Sequence, residues 1–371
     1  MVTERTYWQN RPISRRRLVA AGSAGLTVAG VAACGGKGRP SAPSAASPGG
    51  QTGTQAQSGP VQRGGTLNVY YNMNAPLDLH RASGSPHQIL AGVYSRVFRF
   101  KTGSDPLVGL NKDIENDLGV SGETADSVTW TFKLRPDAKF ANIAPVNGHP
   151  VQAEDVKATF TRALDPNIPN PNRGQLGMID PAQIQTPDAT TVVFKLNFPY
   201  APFNRTLASP NYSLIMPREG LTGSYDLSKT VIGSGPFMFD SVQPDVAYVY
   251  KKNPDYYDPN MPNVDTMRLA IVPDASQQLA QFTAGNLDEL ALADPFSIDA
   301  AKKSNPKATL ITAPNGTPDP VFWQLGDPTS AFQDVRVRRA LNMAIDREAL
   351  GKTIFGGQAL SPVFIPPSMG K

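Results

Sequence analysis

Between Thr66 and Ile345 the hydrophobic pattern switches repeatedly between a period of two and a period near 3.6, and that alternation restricts the chain to a mixed α/β fold. Thr129-Trp130-Thr131-Phe132-Lys133-Leu134 alternates strictly, which predicts a strand burying Trp130, Phe132 and Leu134. The spacing of Val156, Phe160 and Leu164 predicts a helix over 154–164. Thr66 to Tyr71, Thr191 to Leu196, Ala247 to Tyr250 and Met267 to Val272 read as further strands. Leu90, Val93, Tyr94 and Val97 fall on one face of a helix expected over 87–97, and further helices are expected over 276–284 and 335–345. The 371 residues exceed what one core usually serves, so two or more domains are expected.

Cys34 is the only cysteine, which excludes an intrachain disulfide and a cysteine-based metal site. It ends Val31-Ala32-Ala33-Cys34, which resembles a bacterial lipobox whose cysteine becomes the lipidated first residue of the mature protein. An arginine-rich stretch precedes it, and the apolar run from Leu18 to Ala33 is 16 residues long, shorter than the ~20 a helix needs to span a bilayer. The segment 1–33 therefore reads as an export signal. Ser14-Arg15-Arg16 resembles a twin-arginine signal, with Arg15 and Arg16 as the recognised pair. From Gly35 to Gln62, Gly, Pro, Ser and Ala make up 19 of 28 residues, a composition that buries no core and serves as a flexible tether over 34–63.

The formal net charge of +4 comes wholly from the signal, which holds five arginines and one acid, while the rest balances 30 basic against 30 acidic side chains. A chain with no basic excess outside its signal has no counterion-releasing surface, so nucleic acid is excluded as a partner. Gly233-Ser234-Gly235-Pro236-Phe237 lacks the lysine of a phosphate loop and precedes a strand, so it reads as a turn. Asn253-Pro254-Asp255-Tyr256-Tyr257 reads as a proline turn with packed tyrosines, and Asp334 is placed to cap the helix beginning at Val335. The chain has three histidines, His80, His87 and His149, and no Gly-x-Ser-x-Gly elbow surrounds a serine. His80 and His87 stand seven apart in a segment that includes a loop and holds no cysteine, a weak metal signal, so His80 reads as a turn residue. No catalytic residue, metal site or cofactor is expected.

These segments, in order, resemble one family. Gly64-Gly65-Thr66-Leu67, Leu77-Asp78-Leu79-His80, Trp130 to Arg135 with Lys139-Phe140, Pro150-Val151 and Ala153-Glu154-Asp155-Val156 resemble the opening of the dipeptide, oligopeptide and nickel class of extracellular solute-binding proteins of ATP-driven importers, family 5. Pro199-Tyr200-Ala201-Pro202-Phe203, Gly233 to Phe237, Asn253 to Tyr257 and Asp334-Val335-Arg336-Val337-Arg338-Arg339-Ala340-Leu341 continue the resemblance. Two departures stand out: about five extra residues between Phe140 and Asn147, an insertion a surface loop tolerates, and an end at Lys371 where members usually continue for well over a hundred residues.

The resemblance implies a two-lobed periplasmic-binding-protein-like α/β fold with an extra small domain and an incomplete second lobe. The first lobe would run over 64–275 with the small domain inserted at about 100–180, and 276–371 would begin the second lobe. A hinge near Ile271 to Ala275 would let the lobes close over a ligand. Ser83, Gly84, Ser85, Asn211, Tyr212, Phe322 and Trp323 are the expected cleft residues. The expected function is capture of a small solute, a peptide foremost, on the outer face of the cytoplasmic membrane, with delivery to the permease subunits of an ABC importer. The membrane would be reached through the lipid on Cys34. A secreted hydrolase and a ligand-free structural or signalling lipoprotein are the rival readings. Turnover of a substrate would mark the first, and absence of saturable solute binding the second.

Overall fold

The computed structural model describes residues 61–81, 89–101, 113–292, 294–311, 323 and 325–354. Arg15, Arg16, Cys34, the tether up to Pro60, Ser83, Gly84, Ser85, His87 and Phe322 lie outside the described residues. Among those described, no helix is long and apolar enough to cross a membrane.

Two four-stranded sheets carry the architecture. The first contains β1 (Thr66–Tyr71), β8 (Phe237–Gln243), β9 (Ala247–Lys252) and β10 (Thr266–Ile271) in the order β1-β10-β9-β8. β1 and β10 are parallel, with Thr66 opposite Thr266 and Tyr71 opposite Ile271, while β8, β9 and β10 form an antiparallel meander. Everything between Tyr71 and Thr266 is therefore inserted between two parallel neighbours. Side-chain alternation uses both faces of this sheet. Val69, Tyr71, Met267, Leu269 and Ile271 join a core with Leu77, Leu79, Leu90, Tyr94 and Tyr250. Tyr70 and Ala270 point the other way, into a smaller core with Val272, Phe282 and Ala301. That second face is covered by α2 (Ala275–Thr283) and α3 (Pro295–Ser304), capped by Asp274 and Asp294, whose carboxylates accept the Gln277 and Ser297 amide hydrogens at 2.9 and 2.8 Å.

The second sheet is antiparallel throughout and comprises β4 (Gly119–Glu123), β5 (Thr129–Leu134), β6 (Ile179–Asp188) and β7 (Thr191–Leu196), ordered β4-β5-β7-β6. Trp130, Phe132 and Leu134 are buried as their alternation predicts. Phe132 is the centre of an aromatic cluster, its ring 5.9 Å from those of Trp130 and Phe194 and 6.0 Å from that of Phe203. The helix α1 (Ala153–Leu164) lays Val156 and Phe160, both fully buried, on this sheet. Both β6 and β7 pair into the sheet that β4 and β5 begin, so it runs on to Leu196, and its core extends to Phe203, Leu207, Ile215 and Ile232. β2 (Phe98–Phe100) and β3 (Ile114–Asn116) form a separate ribbon.

The helix expected over 87–97 is not formed in the described part. Helical turns end after Leu90, although Leu90, Val93, Tyr94 and Val97 are all buried. The carbonyls of Gly92 and Val93, which a helix would commit to its own amides, instead accept the amide hydrogens of Phe237 and Gly235 at 3.0 and 2.7 Å. This close approach explains the glycines of the Gly233 to Phe237 turn: a Cβ at Gly233 would stand 2.1 Å from the Val93 carbonyl oxygen, and one at Gly235 2.6 Å from that of Gly92. The turn is a structural seam. Asn253 to Tyr257 is another, with Asn253 donating to the Gly235 carbonyl at 2.8 Å and the Tyr257 hydroxyl donating to buried Asp117 at 2.9 Å. The Arg135 guanidinium lies 3.5 Å from the Tyr257 ring centroid.

Beyond the second sheet's strands, α4 (Val335–Ala344) and α5 (Arg347–Thr353) complete the described elements. Asp334 caps α4 as expected, accepting the Arg336 amide hydrogen at 2.8 Å, but no side chain of α4 is buried.

Candidate functional site

The segment after β1 is fixed by charge. Asp78, nearly inaccessible, precedes a single 3-10 turn over Leu79–Arg81 and accepts the His80 amide hydrogen at 3.1 Å. Arg162, in the last turn of α1, donates to both Asp78 oxygens at 2.9 and 2.7 Å, and Arg81 adds a contact at 3.4 Å. Burial alone would raise the Asp78 carboxyl, but the Arg162 guanidinium overrides it and holds the group below the usual carboxylate range. The pair binds the end of the first sheet's segment to the helix on the second sheet.

Beside this pair lies a small hollow, with room for about one water molecule, walled by Leu79 and His80, by Asn170 and Asn172, and by Asn211 and Tyr212. Its walls are locally rigid. Buried Asn170 donates its side-chain amide to the Ala163 carbonyl at the end of α1 at 2.8 Å and accepts the Asn172 amide hydrogen at 2.9 Å. Asn172 in turn donates to the Asn211 carbonyl at 3.4 Å. The hollow is therefore lined by neutral amides and a half-buried tyrosine, groups that both donate and accept hydrogen bonds.

Of the cleft residues expected from sequence, Asn211 and Tyr212 meet here, joined by His80. Ser83, Gly84, Ser85 and Phe322 lie outside the described residues. Trp323 is half-buried, its ring 4.9 Å from that of Phe332, and it is not part of this lining. Sequence reasoning missed Asn170, Asn172 and the Asp78–Arg162 pair. Asn170 and Asn172 sit in a Pro- and Asn-rich run that reads only as a loop, and no local spacing links Asp78 to a partner 84 residues away.

The fold is that of the two-lobed periplasmic binding proteins. Residues 113–371 match the family described as "Bacterial extracellular solute-binding proteins, family 5 Middle", and the chain belongs to that family. Among curated proteins it is similar to "Probable D,D-dipeptide-binding periplasmic protein DdpA" of Escherichia coli (strain K12), 29% identical over 277 residues, covering 71% of this chain and 49% of that protein. It is equally similar, 29% over 323 residues, to "Heme-binding protein A" of Haemophilus influenzae, covering 79% of this chain and 55% of that one. Among solved structures, the binding protein MoaA from A.tumefacien R10 in complex with mannopinic acid shares 25% identity at a TM-score of 0.61, covering 78% of this chain and 57% of that one. Haemophilus influenzae OppA in complex with the peptide RPPGFSPFR shares the fold at a TM-score of 0.66 and 21% identity, covering 82% and 61%. The chain spans about half the length of the curated relatives it matches.

Proposed function

We propose that this chain is a lipid-anchored, exported solute-binding protein that captures a small solute, a peptide foremost, and hands it to the permease subunits of an ABC importer without making or breaking a covalent bond. Membership of family 5, over residues 113–371, carries the reading. The names of its relatives, which include dipeptide-, di/tripeptide- and glutathione-binding proteins, favour a peptide as the solute. Asn211 and Tyr212 are ligand contacts on this reading, and Ser83, Gly84, Ser85, Phe322 and Trp323 are further ones elsewhere in the cleft. The chain from Ile271 to Ala275, where β10 gives way to α2, is the hinge. Anchoring proceeds through Cys34 after export directed by Arg15 and Arg16, on the outer face of the cytoplasmic membrane.

The test is native mass spectrometry of the full chain for co-purified solute, followed by titration of its tryptophan fluorescence with di- and tripeptides. Saturable binding with the peptide recovered intact is the expected result. Release of hydrolysed peptide, or no saturable response to any peptide, would overturn the reading.

A further inference from the structure

A second constellation lies away from the hollow. His149 precedes Pro150, whose segment pairs with Lys139; the Phe140 amide donates to the His149 carbonyl at 3.1 Å, and the Phe140 ring lies edge-on to the imidazole at 5.1 Å. Asp155 sits in the first turn of α1, completely buried, and its Oδ2 accepts the Gln152 amide hydrogen at 2.8 Å. Glu219 sits in the single-turn helix Arg218–Leu221, which is tied to α1 because the Arg218 amide donates to Asp155 Oδ1 at 3.2 Å and the Met216 amide to the Thr159 hydroxyl at 3.1 Å. Three separate segments thus hold one ligand atom each of His149, Asp155 and Glu219 within 4.8 Å of one another.

The hydrogen-bond chemistry of the imidazole is what makes this arrangement informative. Nδ1 lies 2.8 Å from the Pro150 carbonyl oxygen, which only accepts, so Nδ1 carries a hydrogen. In the neutral ring Nε2 then presents a lone pair, and it faces Glu219 Oε2, another acceptor, at 3.1 Å. Two acceptors at that distance need a shared hydrogen or a metal ion between them. A proton would serve this one contact alone, whereas a metal ion also engages the carboxylate of Asp155. The Arg218 guanidinium, whose Nε is 3.7 Å from Asp155 Oδ1, also donates to Gln152 Oε1 at 2.8 Å.

We propose that His149, Asp155 and Glu219 form a binding site for a divalent transition ion of the zinc class. One imidazole nitrogen with two carboxylates is a ligand set for such an ion, and an imidazole whose other N–H is held by a backbone carbonyl has the orientation that metal-bound histidines adopt. Bonds of about 2.0–2.2 Å space tetrahedral ligands roughly 3.3–3.6 Å apart. The 3.1 Å contact is already near that value, the three ligand atoms lie within 4.8 Å of one another, and the Glu219 side chain is about a quarter exposed. The same exposure leaves a fourth position for water. This site is independent of the solute-binding reading.

The experiment uses the full chain carrying Cys34→Ser, so that the thiol contributes no ligand, stripped with EDTA and titrated calorimetrically with zinc chloride at neutral pH, with magnesium chloride in parallel. One zinc ion per chain is expected, with no matching response to magnesium. Cobalt(II) should give the visible absorption of a low-coordinate site. His149→Gln and Glu219→Gln should each weaken zinc binding by at least tenfold and remove the cobalt band, while His80→Gln should leave both unchanged. Metal-free melting curves of the two variants show that they remain folded, and either one alone suffices. Absence of saturable zinc binding, or binding undiminished in both folded variants, would overturn the proposal. So would zinc indifference accompanied by an acid-dependent loss of stability on His149→Gln, since that is the behaviour of a bridging proton.

Discussion

Asp78 accepts both arms of the Arg162 guanidinium, at 2.9 and 2.7 Å, across 84 residues of chain, and both side chains are largely withdrawn from water. Breaking a buried pair from one side strands the other charge, so Arg162→Ala is expected to destabilise the chain by about 3–5 kcal/mol in urea unfolding. A loss below about 1 kcal/mol would show that the two charges are solvated in solution.

The same pair sets a pH dependence. Because the Asp78 carboxyl is held below its usual range when folded, its stabilising contribution is fully present above the unfolded carboxylate value of ~3.9 and is lost as pH falls through the lower, folded value. Urea midpoints measured between pH 6 and pH 2 should therefore fall less steeply at the acid end in Asp78→Asn than in the wild type. Parallel profiles would refute the assignment.

Gly233 and Gly235 are held at backbone contact with Gly92 and Val93. Alanine at either position forces the seam apart and should cost about 1–3 kcal/mol, whereas Gly174→Ala, where an added Cβ meets nothing within 4 Å, serves as the neutral comparison. Equal melting temperatures for all three variants would contradict the close approach.

Burial is uneven along the chain. α4 buries none of its side chains and leaves Met343 83% exposed, whereas β5 and β7 bury Phe132 against Phe194 in the aromatic cluster. Segments with few buried contacts open at low free energy. Within the folded body, limited trypsin digestion should therefore cut first among Arg336, Arg338, Arg339 and Lys352, and after about Ala275 generally; first cuts within 129–252 would overturn this expectation.

Two readings of the N-terminal segment and the cleft are open to direct measurement. Lysine at both Arg15 and Arg16 keeps the charge but not the planar fork and should strand the precursor in the cytoplasm. Cys34→Ala should release the protein from membranes in fractionation, and continued membrane association would dismiss the anchor. Asn211→Ala and Tyr212→Ala should each weaken peptide binding by about tenfold or more, equivalent to ~1.4 kcal/mol.

What the sequence determined by itself is everything that depends on a few adjacent residues. The alternation of Trp130, Phe132 and Leu134, the fourfold spacing of Val156 and Phe160 and the capping role of Asp334 were legible, because each follows from which face a residue occupies or from a hydrogen bond within one turn. The co-linear motifs likewise pointed to the family. Tertiary structure alone decided the parallel pairing of β1 with β10, the Asp78–Arg162 pair, the meeting of His80 with Asn170, Asn172 and Asn211, and the convergence of His149, Asp155 and Glu219. The segment 89–97 shows the reason most directly. Its apolar spacing is helical and its apolar side chains are buried, yet Gly92 and Val93 give their carbonyls to Phe237 and Gly235. Periodicity states which side chains leave water, but a backbone carbonyl bonds whichever amide the whole chain brings to it.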